Sequence, residues 1–395
     1  MARTAAQRLA GFGTSVFTEM SRLAVEHRAI NLGQGFPDFP GPDLVKEAAV
    51  VAIRADLNQY APSHGTPRLR QAIAATFEQS YGRAIDPESE VTVTTGATEA
   101  MQAVMLALID PGDEVILFEP FYDAYPAQVV FAGGTPRAVR MDPPDWSFSV
   151  DELHAAIGPR TRAIVINTPH NPTGKMFSMA ELETIAQLAT EHDLLVISDE
   201  VYDRIVYDGA IHMPIALLPG MWERTLTLNS TGKTFSMTGW KIGYVVAAAA
   251  LSASVRGVHQ FNTFATATPF QEAMAVALEQ AESQGYYREL AARYTLLRDQ
   301  LRDALEAADL PVLPISGSYY LMADIGGLGF DDDVSFCRYL TSEVGVAAIP
   351  PSAFYFDPTN APLLARFCFA KRQETLAAAA ERLAGLPVRR ADDRR

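Results

Sequence analysis

The chain has 395 residues, 48% apolar and 20% charged, enough for two or three domains with cores that need no disulfide or metal staple. Forty-seven acidic against 32 basic residues give a net charge of −15, which argues against nucleic acid or an anionic membrane as main partner. It leaves open a small anionic ligand held by local groups. Cys337 and Cys368 cannot build a disulfide framework and lack metal-ligand spacing, so a reducing cytoplasm and no bound metal are expected. The N-terminal MARTAAQRLAGFGTSVF lacks the apolar core of a signal peptide. The apolar runs Ala103 to Ile109 and Val245 to Leu251 are too short to span a bilayer.

In chain order, the first 45 residues are Gly/Pro-rich around NLGQGFPDFPGP and are expected to drape over a site. LNQYAPSHGTPRLR, which contains Tyr60, reads as a surface loop. From residue 91 short β-rich runs alternate with helical segments. The strands expected are VTVTT (91–95), EVILFE (114–119), RAIVINT (162–168), LLVISDE (194–200), TLTLNS (225–230) and KIGYVVA (241–247). Helical periodicity covers 97–109 and 178–192. Ser149 with Glu152, and Ser178 with Glu181, make capping boxes at helix starts. Such alternation predicts an α/β unit with a mainly parallel sheet. Near residue 285 the character changes: a long amphipathic helix over 286–308, then strand-like runs at 318–324 and 365–370, predict a smaller α+β unit. The closing VRRADDRR is a charged tail, expected to be disordered.

Six places along these elements carry chemistry. Strand 91–95 runs into Gly96, and a helix opening at Ala97 and Thr98 presents free N–H groups to a phosphate. Neither a Walker loop nor a dinucleotide fingerprint is present, and an ordinary βα turn would look the same. EPFYDAY places Tyr122 where it can stack on a flat ring or simply fill the core. In NTPHNPTGK, Asn171 is fixed before Pro172 and its amide can donate to a ligand; neighbouring His170 is read as structural. SDEVYD puts Asp199 at a strand end, as a buried partner for a ring nitrogen or as a solvated acid, with Tyr202 beyond it. Beyond Ser230, Thr231 and Gly232 turn the chain, and Lys233 then points into a crevice where its amine can condense with a carbonyl cofactor. Lys241 offers a second cation for a phosphate. Arg366 interrupts the apolar run ARFCFA and either pairs with a buried acid or grips a carboxylate. Together these supply nearly all that a pyridoxal-phosphate amino-acid enzyme requires.

Over essentially its whole length the sequence resembles the fold-type I, class I/II aminotransferases. The similarity is to the branch of kynurenine/glutamine, methionine and N-succinyldiaminopimelate aminotransferases, through NLGQGFPDF, NQY, EPFYDAY, NTPHNPTGK, SDEVYD, STGKTFSMTGWKIGY and RFCFAKR. The resemblance implies a large α/β domain (46–284) with a mainly parallel seven-stranded sheet, a smaller α+β domain (285–395) and an N-terminal segment (1–45) associated with the latter. It implies a homodimer moving nitrogen from an L-amino acid to a 2-oxo acid in two half-reactions. Lys233 would hold the cofactor as a Schiff base and shuttle the proton; Asp199 would face the pyridine nitrogen; Tyr202 and Asn171 would contact O3′; Tyr122 would stack on the ring. Gly96, Ala97, Thr98, Ser230 and Lys241 would hold the phosphate, with Tyr60 from the partner subunit. Arg366, Asn171 and the Gly35 backbone would bind the substrate carboxylate, with Phe17 and the partner's Phe264 beside it. Lys241 stands where many class I/II enzymes have arginine; lysine is usual in this branch and keeps the charge without the bidentate fork. β-Elimination from cysteine conjugates would use the same residues. A non-catalytic regulator would need a DNA-binding domain, for which too few residues precede NLGQG.

Overall fold

The computed structural model describes residues 5–386; the charged tail lies outside them. The chain opens with α1 (Val16–Glu26), capped by the Ser15 hydroxyl, and β1 (Ile30–Asn31). Helices α2 (Asp43–Arg54) and α3 (Pro67–Tyr81) lead into β2 (Val91–Thr95) and α4 (Gly96–Leu108). Then come β3 (Glu114–Glu119), α5 (Ala124–Ala132), β4 (Thr135–Asp142), β5 (Ser147–Phe148), α6 (Val150–Ala156) and β6 (Thr161–Asn167). They are followed by α7 (Met179–Glu191), β7 (Leu195–Asp199), β8 (Thr225–Ser230), α8 (Thr231–Thr234) and β9 (Ile242–Ala247). Helices α9 (Ala249–Asn262), α10 (Thr268–Ala281) and α11 (Tyr286–Ala307) precede β10 (Tyr320–Asp324). The chain closes with α12 (Asp333–Tyr339), β11 (Val346–Ala347), β12 (Leu364–Cys368) and α13 (Gln373–Leu383).

The central sheet has the order β2-β9-β8-β7-β6-β3-β4-β5. Strands β8, β7, β6, β3 and β4 pair in parallel, and β9 is antiparallel to both β8 and β2. Strand β2 therefore runs with the parallel set, and the C-terminal ends of β2, β8, β7, β6 and β3 share one edge. Strand β7 is buried along its whole length, as a parallel strand covered by helices on both faces must be. The six expected strands are present, each within one residue at either end. Strand β4 was not legible: TPRAVRMD carries Pro136, Arg137 and Arg140 and is largely exposed near the sheet margin, where charge and proline are tolerated. The two-residue β5 adds an eighth strand to the seven expected. Thr231 and Gly232, expected as a turn, form the first turn of α8, with the Ser230 hydroxyl accepting from Gly232 N at 3.2 Å.

Strands β10 and β12 pair antiparallel, and β1 pairs parallel with β11. The N-terminal segment thus joins the C-terminal elements: Met20 and Leu32 share a hydrophobic cluster with Tyr294, Leu297, Phe367 and Leu376. Helix α1 had not been foreseen in a stretch read only as drape. Among the described residues no helix is long and apolar enough to cross a membrane.

Candidate active site

At the shared strand edge, the segments following β2, β3, β6, β7 and β8 surround a cavity of about 240 Å³. Gly96, Tyr122, Asn171, Asp199, Ser230 and Lys233 each follow or end one of those strands and line it, the arrangement expected for ligands bound at the carboxyl edge of an open α/β sheet.

Lys233 rises from α8, and its Nζ donates to the Tyr319 hydroxyl at 2.9 Å and to Gly35 O at 3.3 Å. Burial pushes the amine down to about 8. A substantial fraction is then a neutral nucleophile at mildly alkaline pH, which an ordinary lysine is not. Since only the neutral amine attacks a carbonyl, Schiff-base formation by cofactor-free protein should accelerate with rising pH and level off above an apparent value near 8. Stopped-flow absorbance against pH checks this; a rate still climbing steeply at pH 10 would contradict it.

Asp199 ends β7, and its carboxylate accepts from the Tyr125 hydroxyl at 2.7 Å and from Val201 N at 3.3 Å. Burial holds it up at about 6, against the lowering effect of those hydrogen bonds and of Lys233. A cationic ring nitrogen opposite it would restore the charged form. Glu200, next along, turns elsewhere: it accepts from the Ser198 hydroxyl at 2.7 Å and meets His212 at 2.8 Å. Burial alone would lower the His212 imidazole, but the Glu200 carboxylate outweighs it and raises it. Of the two adjacent acids, only Asp199 lines the cavity.

Arg366, on β12, is fully buried. Its guanidinium donates to Asn171 Oδ1 at 2.7 Å and Gly33 O at 2.8 Å, while its Nε is buried without a partner. It lies 4.1 Å from the Tyr320 ring centre and 5.0 Å from that of Phe17. Among the described residues no carboxylate comes within 4 Å of it, so the internal ion pair, the commoner role for such an arginine, is not what holds it. Asn171, its oxygen taken by Arg366, keeps its amide N–H groups for the cavity that it lines.

The anion-binding corner is built at the start of α4. Gly96 has φ +77°, and a Cβ there would stand 2.9 Å from Lys241 Cε. A Cβ on Gly243 would stand 2.5 Å from the Gly96 carbonyl carbon. Glycine at both positions lets the helix start and Lys241 close on one point, where free N–H groups and the helix dipole favour an anion. Ala97, Thr98 and Ser230 line the same corner.

The structure brings together every site residue singled out above except Tyr60 and Phe264. These pack edge to face against each other, ring centres 5.1 Å apart, on the exposed surface away from the cavity. His170 is buried, bonded to the Thr173 hydroxyl at 2.8 Å and pushed down to about 3 by burial, a neutral structural group. Three tyrosines went unrecognised. Tyr125 follows Tyr122 by three residues, its N–H bonded to the Tyr122 carbonyl at 3.0 Å, a spacing that could have flagged it. Tyr319 and Tyr320 are brought in from more than 80 residues beyond Lys233, with no local signal.

The comparisons with known proteins agree with one another. Residues 27–383 match the family model of aminotransferase class I and II. The chain is 44% identical over 376 residues to the methionine aminotransferase of Escherichia coli, covering 95% of this chain and 97% of that protein. It is 40% identical over 417 residues to the kynurenine–oxoglutarate transaminase of Dictyostelium discoideum, covering 95% of each. It superposes with a TM-score of 0.93, at 45% identity, on the solved N-succinyldiaminopimelate aminotransferase of Mycobacterium tuberculosis, covering 97% of this chain and all of that one. Matched along nearly its entire length in sequence and in fold, the chain belongs to the class I and II aminotransferases, as a pyridoxal-phosphate-dependent enzyme of the branch that holds these three relatives.

Proposed function

We propose that Lys233 carries the cofactor, that Asp199, Tyr202 and Asn171 tune it, and that Arg366 takes the substrate carboxylate. The observation that carries this reading is Arg366, a buried cation with an unpartnered Nε and, among the described residues, no carboxylate within 4 Å. The cavity fits pyridoxal phosphate: an anion corner at α4, an amine at Lys233, and between them an acid at Asp199 and a flat wall at Tyr122. When bound, pyridoxal phosphate supplies an electron sink for charge developing at the substrate Cα. Asp199 would keep a proton on the ring nitrogen, Tyr202 and Asn171 would donate to O3′, and Tyr122 would cover one ring face. The Lys233 amine takes the proton from Cα and returns it. Gly96, Ala97, Thr98, Ser230 and Lys241 hold the phosphate. Gly35, whose carbonyl accepts from Lys233, backs the carboxylate site. Arg366→Lys keeps the charge but loses the fork, so the KM for the amino acid should rise roughly 10–100-fold with the cofactor absorbance unchanged. A KM within about twofold of the parent would sink the clamp.

The donor is read as an amino acid with an apolar, aromatic or sulfur-bearing side chain, of the kynurenine or methionine kind, or as glutamine. Phe17, Tyr320 and Phe354 surround the Arg366 guanidinium, and among the described residues Lys233 and Lys241 are the only lysines lining the cavity. N-Succinyl-LL-diaminopimelate is the other candidate, on the likeness to the mycobacterial protein. A panel of donors scored by the spectral change on amine transfer separates them.

The same reading makes the active unit a cytoplasmic homodimer. Its supports are two buried free cysteines and an exposed apolar surface in which Tyr60 is 83% and Phe261 88% accessible, beside Phe264. Tyr60 and Phe264 would complete the neighbour's site. Mixing Lys233→Ala chains with chains disabled at Tyr60 and Phe264 should restore one working site per heterodimer; verified heterodimers without activity would exclude shared sites. The division at 45/46 and 284/285 is part of this proposal, supported by the hydrophobic cluster joining α1 and β1 to the C-terminal elements.

A further inference from the structure

Tyr320 has so far served only as an aromatic wall beside Arg366, yet its hydroxyl also reaches Tyr202. Its hydroxyl lies 3.2 Å from that of Tyr202, and the Arg366 guanidinium sits 4.1 Å over its ring. The side chain is buried, and space for its hydroxyl is reserved: a Cβ on Gly35 would come within 1.9 Å of that oxygen. Phenylalanine would fill the ring position and pack under Arg366 equally well, so packing does not account for the hydroxyl.

Tyr202 has one proton. If that proton goes to the cofactor's O3′, as read above, its oxygen is left as an acceptor, and Tyr320 is the donor placed to supply it. A phenol under a buried guanidinium donates more strongly, because the cation favours charge on its oxygen. A carboxylate arriving at Arg366 cancels part of that field. Tyr320 then donates less to Tyr202, and Tyr202 less to O3′, since linked hydrogen bonds polarise one another. Weaker donation to O3′ disfavours the deprotonated Schiff base, so its pKa rises as the carboxylate binds.

We propose that Tyr320 is a positioning residue that relays occupancy of the carboxylate clamp at Arg366 to the Tyr202 hydroxyl. The relay rests on the assignment of Lys233 and Tyr202 above. It runs alongside the direct contact of Asn171 with Arg366, and it makes the imine more basic once substrate is seated. The titratable and charged groups facing Lys233 are Asp199, Tyr202, Tyr319, Lys241, Arg366 and Cys368; Tyr320→Phe replaces none of them.

The test is a spectrophotometric pH titration of the holoenzyme Schiff base, with and without saturating 3-phenylpropionate, a carboxylate without an amino group. It is run on the parent, Tyr320→Phe, Tyr202→Phe and the double variant, with circular dichroism confirming the fold of each. In Tyr320→Phe the ligand-induced rise in pKa should shrink by about 0.3 unit or more, a twofold change in proton affinity. In the Tyr202→Phe background the same substitution should change nothing. A rise equal to the parent's in Tyr320→Phe overturns the relay, as does a reduction that persists once the Tyr202 hydroxyl is gone. A parent holoenzyme without Schiff-base absorbance overturns the Lys233 assignment and the relay with it, and is the only result that does both.

Discussion

Lys233→Ala protein is expected to fold normally and to lose turnover by more than about 10⁴-fold. Proton transfer by a placed group alone contributes about 10²–10⁴-fold, and on the proposed assignment this substitution also removes the amine that would anchor the cofactor. Among the described residues no second amine is placed to replace it. Lys241 lies at the anion corner against Gly96, and the Lys371 ammonium donates to Gln34 O and Phe36 O at 3.2 and 2.8 Å. Folding should survive because the Tyr319 hydroxyl keeps its 2.6 Å bond to Gly35 O without the lysine. Cofactor should still bind through α4 and Lys241, more weakly and without Schiff-base absorbance. Turnover within tenfold of the parent would remove Lys233 from the chemistry.

Asp199→Asn should lower turnover by roughly a thousandfold, ~4 kcal/mol, with the fold intact. On the proposed assignment the change removes the charge that would hold a proton on the ring nitrogen, and with it the electron sink. The same carboxyl also makes an opposite prediction for stability. Burial holds it at about 6 in the folded protein, above its ordinary 3.8. As pH rises through that window the unfolded chain loses its proton first, so folding is weakened between about pH 4 and pH 6 and stays so above. Without cofactor, Asp199→Asn should therefore melt at a higher temperature than the parent at pH 7, by the equivalent of ~2–3 kcal/mol at most, and the advantage should shrink towards pH 4. Slower but more stable is the signature of a site residue held in an unfavourable environment for function. Turnover within about tenfold of the parent, ~1.4 kcal/mol, would mean that Asp199 does not serve the ring.

Much of this site could be read before the fold was in hand, because its residues sit at strand ends, where sequence is most explicit. Lys233 comes three residues after the end of TLTLNS, Asp199 closes LLVIS, and Gly96 follows VTVTT; in each, a β-rich run announces the strand and the residues just beyond it must lie near the edge. Parallel packing then brings those edges together without further information. Strand β4 escaped because its arginines and proline break the apolar pattern that a marginal strand does not need. Arg366 stood out as a charge inside a strand, but whether an acid answers it depends on contacts hundreds of residues away, such as Gly33 O and Asn171. Tyr319 and Tyr320 read as ordinary strand aromatics in SYYLMAD, and only the meeting of β10 with α8 and the loop after β7 gives them partners. Tyr60 and Phe264 show the complementary case: two aromatic side chains left at the surface of a single chain, whose place in the account depends on a second copy.

The central claim is that one lysine bears the cofactor, and the direct measurement is borohydride reduction of the holoenzyme followed by peptide mass mapping. Reduction fixes the Schiff base as a stable amine, so the lysine that held it carries the added mass. The account predicts label on the peptide containing Lys233 and on no other. Label on Lys241 or any other lysine, or none on the Lys233 peptide, would contradict it.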